Sequence, residues 1–291
     1  MMNSDDINRL KESIRQMIDA SNIDYISKII TSNTPKIVIP QPPKMDYSDI
    51  LPSNAQELIR KISDIAKRQA DSITSALKSI DFNNLYPPNW KDGEKTLLLP
   101  DDLESIVADG IPLAYIPPYH VLEKIFVATS TGQRRKILSD NHRSIVKQCD
   151  SVSDTIQEKE LKQYVVFTKE SIETFNAGNW RASQALSTSI LDSFLHRNFS
   201  KDDRIKMVDQ NRPIDWKKFP THLAFVIGAI SANYGQYYPE NGDKIPKKYS
   251  RHATAHGLSS RQYSKLNSLI ALMTVVSLLK SVETSFFKKS N

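Results

Sequence analysis

The chain has 291 residues, 39% hydrophobic and 25% charged, which is enough apolar material for a packed core and excludes wholesale disorder. Eight glycines argue against an all-β protein built on tight turns, and one cysteine, Cys149, excludes an intrachain disulfide and a cysteine-rich zinc framework. A formal net charge of +6 favours polyanionic partners, because basic patches attract phosphates and release counterions.

The opening residues, Met1 to Asp6, are polar and acidic and carry no apolar core of a signal peptide, so a soluble cytoplasmic protein is expected. Ile7, Leu10, Ile14, Met17 and Ile18 recur at three- and four-residue steps and predict a helix over residues 4–30. Residues 33–52 read as a linker or extended arm, with Pro35, Pro40, Pro42 and Pro43. Ser53-Asn54-Ala55-Gln56 fits a capping box that opens a second helix to about residue 80, with Leu58, Ile62, Ile65, Ile73 and Leu77 on its apolar stripe. Residues 81–118 are irregular, with a short helix expected over 101–109. The expected division is a helical, proline-interrupted N-terminal region, 1–119, of unknown role, and a helical bundle domain, 120–291.

From His120 onward the periodicity predicts helix after helix: 120–128, 134–150, 155–177, 179–199 and 220–233. Gly178-Asn179 breaks one helix and starts the next, and Pro220 sits where a first turn tolerates it. A polar, Tyr-rich loop follows over 233–249. A last helix is expected over 260–287, capped by Ser259-x-x-Gln262 and lined by Leu266, Leu269, Ile270, Met273, Val276, Leu279 and Val282. Its apolar stretch is interrupted by Asn267, Ser268, Thr274 and Ser277, so it reads as core or as a dimer seam and not as a membrane span. No stretch asks for a large sheet; the fold class is all-α.

One segment carries chemistry: Tyr249-Ser250-Arg251-His252-Ala253-Thr254-Ala255-His256-Gly257. Arg251 supplies a rigid fork of donors suited to phosphoryl oxygens. Histidine is the side chain that can take or give a proton near neutral pH. On a helix, His252 and His256 stand four apart and face the same side. Lys247, Lys248 and Arg261 flank the segment and fit either flanking phosphates or an ordinary solvated turn. Tyr234, Tyr237, Tyr238 and Tyr249 fit either stacking on unpaired bases or core packing.

Arg251 and His256, with four residues between them and a polar residue directly after the arginine, resemble the Arg-x(4–6)-His pattern of HEPN domains. Asn241-Gly242 and Pro246 before the motif, Gly257 after it, the long apolar helix that follows and the upstream Gly178-Asn179-Trp180-Arg181-Ala182 extend the resemblance over roughly residues 155–287. Ser250 stands where the family commonly has Asn, which weakens a supporting role. The resemblance implies a HEPN-like bundle and a metal-independent endoribonuclease needing no cofactor. It would cut single-stranded or looped RNA by attack of the ribose 2′-hydroxyl. Arg251, His252 and His256 are then the catalytic candidates, and Lys247, Lys248, Tyr249, Ser250 and Arg261 the substrate-binding ones. It also implies a homodimer with a composite active site, and a role as a toxin or abortive-infection (antiphage defence) effector with an antitoxin or regulatory partner.

Other readings stand beside this one. A HEPN-type module that binds RNA or protein without catalysis uses the same residues. A helical scaffold with a coincidental motif would leave Arg251 and His256 apart or held in internal salt bridges. Arg135 and His142 meet the looser spacing as well and fit a solvated helix face. A zinc reading of His252-x-x-x-His256 lacks the general base, since Ala253 follows the first histidine, and lacks an evident third ligand. His120, His196 and His222 read as surface or satisfied core residues, and Cys149 as a small core side chain.

Overall fold

The computed structural model describes residues 87–90, 100–208 and 221–287. Among them the protein is all-α, with no strand. The helices are α1 (Pro100–Ala108), α2 (Tyr119–Phe126), α3 (Thr131–Asp140), α4 (His142–Asp154), α5 (Lys162–Asn176), α6 (Trp180–Asn198), α7 (Lys201–Val208), α8 (Thr221–Asn233), α9 (Arg251–His256) and α10 (Lys265–Val282). The helices expected over 4–30 and 53–80, and the linker between them, lie outside the described residues.

Local sequence explains where these helices start and stop. Ser130, Ser250 and Ser264 are N-caps whose hydroxyls accept from Gln133 N, Ala253 N and Asn267 N, so each satisfies a backbone donor that the first turn leaves open. Gly178 follows α5 at φ 83°, where a side chain would be strained, and Asn179 N reaches back to the Thr174 carbonyl. The stretch expected as one helix over 134–150 is two, α3 and α4, separated at Asn141, whose side chain turns back onto the Ile137 carbonyl and competes with the helical ladder.

α10 is the centre of the bundle. Every residue from Asn267 to Val282 is buried, because α4, α5, α6 and α8 pack around it. A helix apolar on all sides has no solvent face and needs such a surround. Residues 265–287 are long and apolar enough to cross a membrane, and most of that length is buried inside the bundle. Asn267, Ser268, Thr274 and Ser277, the polar interruptions noticed in the sequence, are all buried. Thr274 answers its own hydroxyl by donating to the Ile270 carbonyl 2.8 Å away.

The expected boundary at 119/120 does not divide the structure. Residues 87–90 and 100–119 belong to the same compact unit as the bundle. Ile111, Leu113 and Ile116 are fully buried in its core, and Trp90 stacks on Phe225 of α8 at 5.3 Å. Asn89 latches this segment: its amide donates to the Leu113 and Pro117 carbonyls and accepts from Tyr115 N. Tyr115 is thereby held at φ 66°, a left-handed conformation that costs a side-chain-bearing residue energy.

At its far end α10 is tied to the α4–α5 turn by a buried ion pair. Lys280 Nζ donates to Glu283 Oε2 at 2.6 Å and to the Thr155 carbonyl at 2.9 Å, while Glu283 Oε1 accepts from Gln157 N and Glu158 N. Lys280 is 7% exposed and Glu283 2%. Burial pushes the Glu283 carboxyl up, but the Lys280 bond and the two backbone donors outweigh it and hold the carboxyl below the ordinary range. Its contribution to stability is therefore complete at neutral pH and is lost as pH falls through the lowered value. Glu283→Ala strands the ammonium, and urea unfolding should show a loss of about 3–5 kcal/mol; an unchanged midpoint would mean the pair is not buried as described.

Candidate functional site

One row of α6 organises the site. Trp180, Gln184, Thr188, Asp192 and His196 fall at four-residue spacing and so lie along one side of the helix. Each meets a different partner. Lys265 Nζ sits 5.9 Å from the Trp180 ring centre, Gln184 Nε2 donates to Thr254 Oγ1 at 2.9 Å, and the Thr188 and Tyr249 hydroxyls are 2.9 Å apart. Arg251 Nη2 donates to Asp192 Oδ2 at 2.5 Å, and Arg204 Nη1 bonds His196 Nδ1. The motif segment thus runs antiparallel to α6, with Arg251 toward the C-terminal end of that helix and Thr254 toward its start.

Buried amides hold the motif helix α9 in this position. Gln262 is fully buried: its Oε1 accepts from Ser250 N at 3.2 Å, and its Nε2 donates to the Lys248 carbonyl at 3.1 Å. Asn267 Nδ2 and Gln184 Nε2 both donate to the Gln262 carbonyl, at 2.7 and 3.2 Å. The last helix accordingly starts at Lys265 under a Ser264 cap, five residues later than the Ser259-x-x-Gln262 pattern predicts, because Gln262 faces the core instead of closing a capping box. Gly257 lets the chain turn close beside Tyr237: a Cβ there would come within 3.0 Å of the Ala253 carbonyl and of the Tyr237 ring.

Against this support Arg251 and His252 line one pocket of about 200 Å³, together with Asp192, Leu195, His196, Arg204, Tyr234, Gln236 and Tyr238. The wall carries two guanidinium groups and two imidazoles against a single carboxylate. Arg251 is 22% exposed at its side chain, and its guanidinium lies 5.8 Å from the Tyr234 ring centre. Burial works against its charge, but the bond to Asp192 and the charge of that carboxylate outweigh it, so its pKa is raised. Asp192 takes one of the five N–H donors of the fork. Arg251 Nε, Arg204 Nε and Tyr234 Oη are buried atoms with no hydrogen-bond partner among the described residues. The Tyr234 hydroxyl is near enough to Arg251 to feel its charge, yet forms no bond of normal geometry with it. All three can donate. Uncompensated buried donors cost energy, and an acceptor-rich ligand would relieve it.

His252 is oriented by the backbone. Its Nδ1 lies 2.5 Å from the Tyr237 carbonyl oxygen and 3.2 Å from Tyr237 N. A neutral ring that donates Nδ1–H to that carbonyl would leave Nε2 as the nitrogen free to accept. His256 stands outside the pocket wall, exposed, with its ring centre 4.7 Å from that of His252.

The remaining candidates separate. Tyr249 is fully buried with its hydroxyl engaged by Thr188, so its ring is core and is not available to stack on a base; burial pushes its phenol far above the ordinary value. Ser250 is buried and serves as the α9 cap, not as a ligand to substrate. Lys247, Lys248 and Arg261 are exposed and lie outside the pocket wall. Arg135 and His142 do not form a second site. Arg135 Nη2 bonds Asn267 Oδ1 and the Lys247 carbonyl, and His142 Nε2 meets Lys265 Nζ at 2.8 Å. Among the described residues no cluster of three His, Cys, Asp or Glu side chains could hold a metal ion.

Asp192, Arg204 and Gln236 are wall residues that the sequence reading passed over, and His196, read there as a surface or core residue, is a fourth. The signal for α7, which carries Arg204, was present: Ser200 accepts from Asp203 N and its hydroxyl reaches Asp203 Oδ2, a serine-x-x-acid cap. Comparison of the chain with family models, with curated proteins and with solved structures finds no match in any of the three. The site therefore stands on its own geometry. Gln262→Leu keeps the volume but leaves Ser250 N and the Lys248 carbonyl without partners; a stability loss of about 2–3 kcal/mol is expected, with faster hydrogen exchange at Ser250 as the check on its position.

Proposed function

We propose that this pocket binds and cleaves RNA, as a metal-independent endoribonuclease acting on single-stranded or looped substrate. The observation that carries the reading is the convergence of Arg251 and His252 on one basic pocket, with buried donors that find no acceptor among the described residues. In this reading Arg251 binds the scissile phosphate and stabilises the charge that develops on its oxygens, as a preorganised donor in a partly desolvated site. His252, its Nδ1 tied to the Tyr237 carbonyl, presents Nε2 to take the proton of the attacking 2′-hydroxyl. His256, exposed outside the wall with its ring centre 4.7 Å from that of His252, supplies the proton to the departing 5′ oxygen. The oxygen–phosphorus bond to the 2′ oxygen forms as that to the 5′ oxygen breaks, leaving a 2′,3′-cyclic phosphate and a 5′-hydroxyl. The motif's resemblance to HEPN domains is the ground for extending the reading to a dimeric, cytoplasmic toxin or defence effector.

A second reading has a specific observation in its favour. Asp192 already holds Arg251 in an internal ion pair, as expected of a scaffold whose motif is coincidental, and an arginine so neutralised is also less suited to cutting RNA than to a module that only binds RNA or protein. One assay separates the two. Total RNA incubated with the protein in EDTA should be cut, with ends carrying cyclic phosphate. Arg251→Ala should slow cutting by about 10²-fold or more, and His252→Ala and His256→Ala each by about 10²–10⁴-fold. RNA bound but left whole by the wild type assigns the protein to the binding class, and undiminished cutting by the arginine and histidine variants removes these residues from the chemistry.

A further inference from the structure

Arg204 has no part in the chemistry above, yet it shares the pocket wall with Arg251. It sits on α7, a helix separate from the motif, and is bound to the same row of α6: Arg251 through Asp192, Arg204 through His196. Asp192 and His196 are four residues apart on that row, so the two anchor points are separated by about 6 Å along the helix axis. That is close to the spacing of successive phosphates on one nucleic-acid strand. Arg204 Nη1 donates to His196 Nδ1, which requires that nitrogen to be unprotonated; the imidazole then holds the guanidinium in place without neutralising it. Asp192, by contrast, offsets the charge of Arg251. The Arg204 Nε is buried and has no partner among the described residues. The one carboxylate in the wall is therefore engaged by the other arginine, and Arg204 keeps a full positive charge and a donor.

We infer that Arg204 is a substrate-binding residue that grips the phosphate next to the one held by Arg251, so that the site takes a strand with at least two successive phosphodiesters. Gln236 and Tyr238 line the same wall. This deepens the ribonuclease reading and rests on the same pocket, but its test needs no cleavage.

The probes are 2′-O-methyl oligonucleotides, which have no free 2′-hydroxyl to attack: a dinucleotide with one phosphodiester and a trinucleotide with two, titrated against the full chain. The wild type should bind the trinucleotide about tenfold tighter, the worth of one charge-assisted contact. Arg204→Ala should bring the two within about twofold and make the salt dependence of trinucleotide binding shallower by about 0.7 in log–log slope. Arg251→Ala should weaken both probes. Should the alanine variant melt early, Arg204→Gln, which keeps most of the side-chain volume and no charge, gives the same reading. Equal binding of the two probes by wild type, or an Arg204 variant that keeps the wild-type preference, overturns the inference. Failure of the ribonuclease reading shows differently: the wild type would leave unmodified RNA intact while still preferring the longer probe through Arg204.

Discussion

The buried side-chain amide of Gln262 is the contact on which the site depends. A single carboxamide offers one acceptor and two donors, and here they join three pieces of chain that are distant in structure type: the loop before α9, the cap of α9 and the start of α10. Remove the acceptor and Ser250 N loses its partner, so the helix that aims Arg251 and His252 loses its anchor from beneath. In a low-dielectric interior such bonds are strong when complete and costly when broken. The motif is therefore held in place from the core side.

The second constraint is the all-round burial of α10. A central helix with no solvent face cannot be stable alone; its neighbours must close around it. Four helices do so, and α6 does it with one face while presenting its polar row to α9 and α7 with another. Core packing and site geometry are thereby coupled through one element: the face of α6 that carries Ile190, Leu191, Phe194 and Leu195 is buried. The same packing fixes where Asp192 and His196 emerge.

Much of this was legible in the sequence. Apolar periodicity located most of the helices, Gly178-Asn179 marked a real break, and the arginine and first histidine of the motif do converge on a pocket. What escaped was decided by tertiary partners. Ser259-x-x-Gln262 has the form of a capping box, but nothing local says that Gln262 turns inward and that Ser264 caps instead. Tyr249 has the composition of a stacking residue, and only the packing of α6 beneath it makes it core. Asp192 and His196 lie on a helix whose apolar residues dominate the pattern, so their shared row was hidden by the stronger signal. Residues 110–118 fell in a stretch that looked irregular because their order comes from Asn89 reaching across more than twenty residues, a contact no local window contains.

The four-residue row on α6 also acts as a ruler. Because each anchor is one turn from the next, the spacing of the two anchor points on α6 is set by helical pitch. A register so defined cannot be adjusted gradually. Adding or deleting one residue between Asp192 and His196 would swing one anchor a quarter-turn or more around the cylinder, into the core or away from the pocket. Drift at these positions is thus confined to changes of side chain, and the length of this helix segment is itself part of what fixes the two anchors.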